Sequence, residues 1–179
     1  MSTMIRKATV SDLDAVTAIY NNTHSAEEAG LTTVGWVRGV YPTRATAENA
    51  LARNDLFVAE NEGHIVATAI FNHEQDDCYA TAPWRADLPA EQIMVMHTLA
   101  VDPSARAHGI GRSMVAFYEN YARSNGCHAL RIDTNITNTV ARNLYAKLGY
   151  TEIAVRRRLF NNVPNVQLVL LEKILDEQQ

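Results

Sequence analysis

The sequence predicts a single domain of the α/β (α+β) class, in which helices cover both faces of a mixed central β-sheet. A length of 179 residues with 47% apolar residues suits one hydrophobic core. Helix-spaced and strand-spaced apolar residues alternate in the order β-α-α-β-β-β-α-β-α-β-β. The strand, helix and strand over residues 93–133 form a βαβ unit, which predicts two parallel strands. Residues 1–179 are therefore expected to form one domain.

The first half of the chain predicts three strands and two helical regions. Ser11 to Asp14 matches a capping box ahead of apolar residues at helical spacing. The second helical region is less regular, because glycines interrupt it before a run of good helix formers begins. A turn at residues 61–63 separates two strand-like runs, which predicts a β-hairpin. The predicted ranges are strand 4–8, helix 12–22, helix 43–53 with a possible start at 25–28, and strands 56–60 and 64–71.

The second half begins with a segment over residues 72–91 that lacks periodicity. Loops of that length in compact domains are often functional, so we expect a lid or a wall of a substrate site. Beyond it, helices are indicated by apolar residues recurring three and four positions apart, with Gly126 and Gly149 as stops. The predicted ranges are strand 93–101, a helix from 109–111 to 125–126, strand 128–133, helix 138–148, and strands 150–160 and 166–174.

The charge is unevenly distributed along the chain. Lys and Arg number 16 against 20 Asp and Glu, which gives a net charge of −4. An acidic total disfavours nucleic acid as a partner of the whole surface. Residues 1–90 contain 6 basic and 12 acidic side chains, whereas residues 91–179 contain 10 and 8. An anionic ligand is therefore expected beside the second half of the chain.

The cysteines and the hydropathy pattern indicate the compartment. Cys78 and Cys127 have no spacing typical of a zinc site, and two cysteines are too few for a disulfide scaffold. We expect two free thiols and no metal site. The sequence contains neither a run of signal-peptide type nor about 18 consecutive apolar residues. A cytoplasmic protein without a membrane partner is the expectation.

A glycine-containing loop, Arg106-Ala-His-Gly-Ile-Gly-Arg112, joins a predicted strand to a predicted helix. Free backbone N–H groups and the positive end of the helix dipole make such a junction a site for phosphate. The third glycine of a dinucleotide fingerprint and the Lys of a Walker loop are both absent from it. The glycines alone would also fit a tight turn with no ligand.

Three motifs follow one another along the second half of the chain. They are Leu99-Ala-Val101-Asp-Pro103, Arg106-x-x-Gly109-x-Gly111, and Asn138-x-x-Ala141-x-x-Leu144-Tyr145-x-Lys147-Leu148-Gly149-Tyr150. Together they resemble the GNAT superfamily of N-acetyltransferases, most strongly over residues 93–153 and weakly before residue 56. The resemblance implies a GNAT-like domain that uses acetyl-CoA as acetyl donor and transfers the acetyl group directly to a primary amine.

The resemblance also implies roles for individual residues. A bulged strand would pair its backbone with the pantetheine arm and the acetyl carbonyl at Leu99 and Val101. Asn138 would contact the pantetheine arm, and Tyr145 would protonate the departing thiolate. Capping by Asn138 and core packing by Tyr145 are the alternative readings of these two residues. The loop expected to hold the pyrophosphate consists of Arg106, Ala107, His108, Gly109, Ile110, Gly111, Arg112 and Ser113.

Two residues compete as the general base that deprotonates the amine. Asp133 ends a predicted strand where some members of that family carry a catalytic Glu. His97 lies in the strand that leads to the acetyl site, and its ordinary pKa of about 6.5 suits proton transfer at neutral pH. A capping Asp and a structural His are the corresponding alternatives, and the choice stays open.

The acceptor is the part of the function that the sequence determines least. Trp36, Tyr79 and Trp84, together with Tyr41, are candidates for the acceptor pocket, although large aromatic residues are more often core. A small-molecule amine is the expected acceptor. A protein or peptide N-acetyltransferase and a non-catalytic acyl-CoA-binding domain are the alternatives. The acidic loop favours a cationic acceptor weakly, and the C-terminal strands could pair two subunits in a homodimer.

Overall fold

A computed structural model describes residues 3–106 and 108–175, and within them the predicted order of elements is confirmed. The strands are β1 (Met4–Lys7), β2 (Leu56–Asn61), β3 (His64–Asn72), β4 (Ile93–Val101), β5 (Ala129–Asn135), β6 (Thr151–Phe160) and β7 (Val163–Ile174). The α-helices are α1 (Leu13–Glu28), α2 (Arg44–Ala52), α3 (Ile110–Ser124) and α4 (Thr139–Lys147). No helix in these ranges is long and apolar enough to cross a bilayer.

The seven strands form one mixed sheet in the order β1-β2-β3-β4-β5-β7-β6. Neighbouring strands are antiparallel except β4 and β5, which pair in parallel and confirm the predicted βαβ unit. Strand β7 inserts between β5 and β6, so the chain turns back on itself at its C-terminal end. The single parallel pair is thus enclosed by antiparallel strands on both sides.

Helices cover both faces of the sheet, as predicted. Alternate residues of β2 point to opposite faces, so Phe57 packs with Met114 of α3, whereas Leu56 and Val58 pack with Ile19 of α1. A third apolar cluster lies under the loop between β3 and β4. These clusters hold the sheet rigid on either side of the parallel pair.

Helix α1 ends later than predicted, because tertiary burial continues past residue 22. Thr23 and His24 are buried, which extends the helix by nearly two turns. Gly30 has a φ of 71°, a left-handed conformation that suits glycine and follows the end of the helix. Ser25–Glu28 is therefore the last turn of α1 and does not start a second helix.

The cap of α1 also differs from the prediction. The backbone N–H of Thr9 donates to Asp12 Oδ2 at 2.8 Å, and a short 3₁₀ turn then leads into the helix. Arg6 forms a salt bridge with the same carboxylate at 2.7 Å. The arginine holds the pKa of Asp12 down at about 2. Asp12 therefore plays the capping role that the sequence suggested for the box from Ser11 to Asp14.

The C-terminal hairpin has a shorter turn than predicted. Asn161 and Asn162 have φ values of 49° and 62°, and β7 already begins at Val163. Asparagine tolerates this left-handed conformation, which matches the twist of a two-residue hairpin turn. Pro164 fits in β7 because pairing with β5 starts only at Leu168.

Candidate active site

A cavity of about 1230 Å³ opens where β4 and β5 separate. Their parallel pairing runs from Ile93 to Met96, which lies opposite Ile132, and the ladder ends there. His97 and Asp133 are the next residues in this register, and both line the cavity. Their strands therefore present them on the same face of the sheet at the start of the opening.

The cavity passes through the sheet from one face to the other. Tyr145 of α4 and Ile110 of α3 line it and belong to the core on one face. Trp36, which also lines it, packs against the core beneath α1 and α2 on the other face. One cavity therefore has a side formed by α3 and α4 and a side formed by the loop between α1 and α2.

A β-bulge in β4 supports this opening. The register between β3 and β4 shifts by one residue, and Thr98 has a φ of 52°. This conformation is strained for a β-branched residue. The Thr98 hydroxyl is hydrogen bonded to the hydroxyl of Tyr41. Beyond the bulge, Leu99 and Val101 line the cavity along an edge of β4 that has no partner in β5.

The glycine loop reaches the cavity at the N-terminus of α3. Gly109 caps the helix with a φ of 74°, a left-handed conformation that a side chain would strain. A Cβ at Gly111 would lie 3.5 Å from Leu144, so the loop packs closely on α4. Two arginines, Arg106 and Arg112, also line this end.

Three predicted loop residues differ from the others in their placement. His108 Nδ1 donates to the carbonyl of Arg106 at 3.0 Å, and Ser113 Oγ donates to the carbonyl of Gly109 at 3.3 Å. Both side chains are exposed and lie outside the cavity lining. Ala107 lies outside the described residues. The cavity end of the loop is thus formed by Arg106 and by Gly109 to Arg112.

Asn138 and Tyr145 come to the cavity on α4. Asn138 caps the helix by accepting a hydrogen bond from the backbone N–H of Ala141 at 3.2 Å, and its amide donates to Thr134 Oγ1. Tyr145 is 4% exposed, and burial raises its pKa well above the ordinary value. Its hydroxyl therefore keeps its proton at neutral pH and remains a donor.

His97 is held as a neutral imidazole of one tautomer. Asn72 Oδ1 accepts the backbone N–H of Glu74 at 3.0 Å, while its amide nitrogen donates to Asp55 at 3.1 Å. This fixes which end of Asn72 carries oxygen, so His97 Nε2 must donate to Asn72 Oδ1 at 2.9 Å. Burial and the charge of Arg53 lower the pKa of His97 to about 4. Nδ1 therefore carries the lone pair of the ring.

Asp133 has the opposite shift. Burial raises its pKa to about 6, and the hydrogen bond from Tyr79 Oη to Asp133 Oδ2 at 2.7 Å partly offsets the increase. A carboxyl group that titrates near neutrality can exchange protons with an amine more readily than a group with a pKa near 4. Of the two candidate bases, Asp133 has the better matched pKa.

The predicted acceptor aromatics separate into two groups. Trp36 lines the cavity and makes edge-to-face contacts with Tyr20 and Tyr41. Tyr79 is 2% exposed and touches the site through its hydroxyl on Asp133. Trp84 lies outside the cavity, where its indole N–H donates to the carbonyl of Tyr79 at 2.7 Å. Tyr79 and Trp84 thus lie behind the carboxylate and do not form the cavity wall.

A buried ion pair holds this aromatic pair in place. Arg131 Nε lies 3.4 Å from Glu172 Oε1, and both side chains are buried. The Arg131 guanidinium also lies 4.0 Å from the ring centroid of Trp84 and donates to Gln75 and to the carbonyl of Ala86. Sequence reasoning missed this network, although an arginine within the apolar strand Ala129–Ile132 is a recognisable signal of a buried partner.

Thr98 and Asn72 are two further site residues that the sequence did not suggest. The bulge at Thr98 has no local signal, since threonine favours ordinary strand geometry. Asn72 ends β3, and its position beside His97 depends on the register between β3 and β4. Both positions follow from tertiary structure.

The carboxylates near the cavity are mostly paired. Of the three that line it, Asp76 lies 2.6 Å from Arg158, and Glu74 lies 3.7 Å from Arg53. Asp133 alone faces the cavity without a cationic partner among the described residues. The acidic excess of the loop therefore leaves one uncompensated carboxylate at the site.

Comparison with known proteins identifies relatives of this chain. Residues 16–150, more than half of the chain, match the family described as Acetyltransferase (GNAT) family. Aminoglycoside N(6')-acetyltransferase type 1 of Klebsiella aerogenes is 31% identical over 72 residues, which are 40% of this chain and 47% of that protein. The [Ribosomal protein bS18]-alanine N-acetyltransferase of Haemophilus ducreyi is 26% identical over 60% of this chain and 81% of that protein.

A solved structure establishes the fold. The yncA protein of Salmonella typhimurium, solved with its cofactor acetyl-CoA, superposes with a TM-score of 0.70 at 22% identity. The match covers 100% of this chain and 97% of that one. By contrast, the chain spans about half the length of the aminoglycoside relative, so the likeness in sequence is concentrated in one part of that protein.

Proposed function

The chain belongs to the acetyltransferase (GNAT) family, and from this premise we propose that it transfers the acetyl group of acetyl-CoA to the primary amine of a small molecule. One observation carries the proposal. A single cavity through the sheet joins the N-terminus of α3 on one side to Asp133 on the other. An anionic donor and an amine acceptor can therefore meet between β4 and β5.

The residues at the α3 end fit acetyl-CoA. Arg106, Arg112 and Lys147 supply positive charge for its phosphates, and the N-terminus of α3 supplies free backbone N–H groups. The unpaired edge of β4 at Leu99 and Val101 offers backbone groups to an extended pantetheine arm and to the acetyl carbonyl. Asn138 lines the cavity and caps α4, and it would contact the same arm.

Acid–base chemistry at the junction needs one base and one acid. Bound acetyl-CoA supplies an acetyl thioester, and attack by an uncharged amine forms the N–C bond as the C–S bond breaks. Asp133 takes the proton that the amine loses, because its pKa of about 6 keeps it mostly ionised at neutral pH. Tyr145 gives its hydroxyl proton to the departing sulfur, and the proton held by Asp133 then passes through water to the Tyr145 oxygen. An acceptor that binds as an ammonium ion first releases one further proton to solvent.

His97 orients the acceptor in this scheme. With a pKa of about 4 it stays neutral, and its Nδ1 lone pair accepts an N–H of the amine. Asn72 keeps the ring in the required tautomer. His97 thus fixes the direction of the nitrogen while Asp133 removes the proton.

A link between two loops beside the acceptor side supports a small acceptor. Thr33 Oγ1 donates to the carbonyl of Thr137 at 2.7 Å, and Thr137 Oγ1 donates back to the carbonyl of Thr33 at 3.0 Å. These bonds tie the loop between α1 and α2 to the loop after β5, next to the cavity-lining residues Val34 and Asn138. The aminoglycoside relative also acts on a small amine by its name. A protein acceptor, suggested by the name of the ribosomal relative, is the alternative.

Free thiol release with acetyl-CoA and a panel of small amines tests the proposal. We expect turnover that Tyr145→Phe and Asp133→Asn each reduce while calorimetric binding of CoA is retained. Binding of CoA without turnover on any amine or peptide would instead indicate a non-catalytic acyl-CoA-binding domain. Faster acetylation of peptides than of every small amine would indicate a protein acetyltransferase.

Location and assembly are further parts of this proposal. Cys78 and Cys127 are free thiols, which supports a reducing compartment such as the cytoplasm. Strand β6 is an edge of the sheet with Val155 and Leu159 exposed, which supports pairing of two subunits there. Light scattering after gel filtration distinguishes a monomer from a homodimer.

A further inference from the structure

The charges on the acceptor side of the cavity limit which amine can bind there. Arg53 forms salt bridges with Asp55 and Glu74, and Arg158 forms one with Asp76, so each arginine already has a carboxylate partner. The same pairing removes two of the negative charges that a polycation would need. Asp133 remains as one carboxylate for one ammonium group.

The other residues on the acceptor side are uncharged: an aromatic and apolar surface lies beside polar side chains such as Asn49 and Gln75. Trp36 and Tyr41 form one wall, with ring centroids 6.2 Å apart in an edge-to-face arrangement. Phe160 and Val163 line the cavity from the C-terminal hairpin. Binding to such a surface is favoured by burial of an apolar body and opposed by desolvation of a second charge.

The aromatic wall is fixed before any ligand binds. Glu27 accepts the backbone N–H groups of Val34 and Gly35 at 2.8 and 2.9 Å, which sets the path of the loop into Trp36. A Cβ at Gly35 would lie 2.2 Å from Asn135 Nδ2, so the loop also lies directly against the end of β5. The acceptor thus meets a preformed surface, which reduces the entropy lost on binding.

We propose that the acceptor is a primary monoamine with an aromatic or branched apolar body and no second charged group, an inference that rests on the proposed function of this site. Its ammonium group would lie beside Asp133 and His97, and its body against Trp36 and Tyr41. A polyamine, an aminoglycoside or an amino acid would bring a further charge, for which the described residues on the acceptor side offer no uncompensated partner.

Steady-state kinetics of the full chain with acetyl-CoA can test this acceptor class. The panel is 2-phenylethylamine, phenylalanine, which adds a carboxylate, spermidine, which adds ammonium groups, and ethanolamine, which lacks an apolar body. We expect kcat/KM for 2-phenylethylamine to exceed each of the others at least tenfold. Equal or better use of spermidine, phenylalanine or ethanolamine overturns the inference and leaves the transferase proposal standing.

Variants at the aromatic wall sharpen the test. Trp36→Ala should raise KM for 2-phenylethylamine at least tenfold and leave KM for acetyl-CoA within twofold. Trp36→Phe keeps a ring and should retain most of the affinity. It serves as a second test if the alanine variant folds poorly. Val10→Ala changes an exposed apolar residue outside the cavity and should alter neither constant. An unchanged KM in both Trp36 variants contradicts the inference.

A binding measurement separates failure of the inference from failure of the proposed function. Quenching of tryptophan fluorescence by 2-phenylethylamine, lost in Trp36→Phe, reports occupancy of the wall without turnover. Quenching without acetylation of any amine supports the acceptor class and contradicts the transferase proposal. Acetylation of some amine without quenching by 2-phenylethylamine supports the transferase proposal and contradicts the acceptor class.

Discussion

Tyr79 Oη donates a hydrogen bond of 2.7 Å to Oδ2 of Asp133, at the point where β4 and β5 part. The bond stabilises the ionised form of a carboxyl group whose burial raises its pKa to about 6. Tyr79 itself is held from behind by Trp84. The protonation of the proposed base is therefore set partly by a residue that does not touch the substrate.

Replacement of Tyr79 by Phe should move the acidic limb of the pH profile upward. Loss of the donor removes stabilisation of the carboxylate, so the apparent pKa in kcat/KM rises from about 6. Activity should then fall several-fold at pH 6 and little at pH 8. Tyr150→Phe is a matched control, because the buried Tyr150 hydroxyl has no hydrogen-bond partner among the described residues. An unshifted limb in Tyr79→Phe would remove this positioning role.

Replacement of Asp133 by Asn should lower activity and raise stability at the same time. The folded pKa of about 6 exceeds the ordinary 3.8, so stability from this group is complete below pH 4 and lost as pH rises through 6. The Asn variant should gain about 1–2 kcal/mol at pH 7.5 after allowance for solvent screening. Urea unfolding at pH 7.5 and pH 4 measures this, and an equal gain at both values would contradict the assignment.

Replacement of Tyr145 by Phe should lower kcat about a hundredfold, the usual contribution of a general acid. Calorimetric affinity for CoA should change less than twofold, because the ring and its packing against Tyr150 are retained. The variant should lose less activity with a thioester donor whose leaving thiol is more acidic. A full rate in the variant would exclude Tyr145 as the acid.

The two loop glycines should respond differently to alanine. Gly109→Ala places a Cβ in open space, but its φ of 74° costs about 1–2 kcal/mol of stability. Gly111→Ala meets only ordinary contacts, with Leu144 at 3.5 Å, so the fold should keep its stability. Thermal unfolding with and without CoA checks both, and equal destabilisation by the two substitutions would contradict the left-handed geometry.

Removal of one partner of the buried ion pair should lower the free energy of unfolding. Glu172→Gln leaves Arg131 buried without its counter-charge and should cost about 3–5 kcal/mol. The double variant Arg131→Met/Glu172→Leu should recover much of that loss, because no buried charge remains. A single variant as stable as the parent, measured by urea unfolding, would show that the pair is not needed.

Elements with strong local signals could be predicted from the sequence. Gly149 ends α4 with a φ of 87°, and Thr43 caps α2, so both ends lie within a residue of their predicted places. The end of α1 could not be predicted this way. Its last turn is stabilised by burial of Thr23 and His24 against other elements.

Residues that line the candidate site could be predicted where the signal is local, and could not where their position depends on contacts between elements. The glycine loop and Asp133 are local features of a strand end and a helix start. The bulge at Thr98 and the tautomer of His97 depend on contacts with Tyr41 and Asn72, which lie on other elements. Tyr79 and Trp84 have the composition of a pocket wall, and only their packing shows that they lie behind the base.

The gap between β4 and β5 has a consequence for kinetic order. One side of the cavity is formed by α3 and α4 and the other by the loop holding Trp36, so the proposed donor and acceptor would occupy different sides of it. Neither has to depart before the other arrives, so both can be bound together and no acetylated enzyme is required. In the proposed reaction, acetylation would convert the ammonium partner of Asp133 into a neutral amide, so the product would lose its main electrostatic attraction to the site.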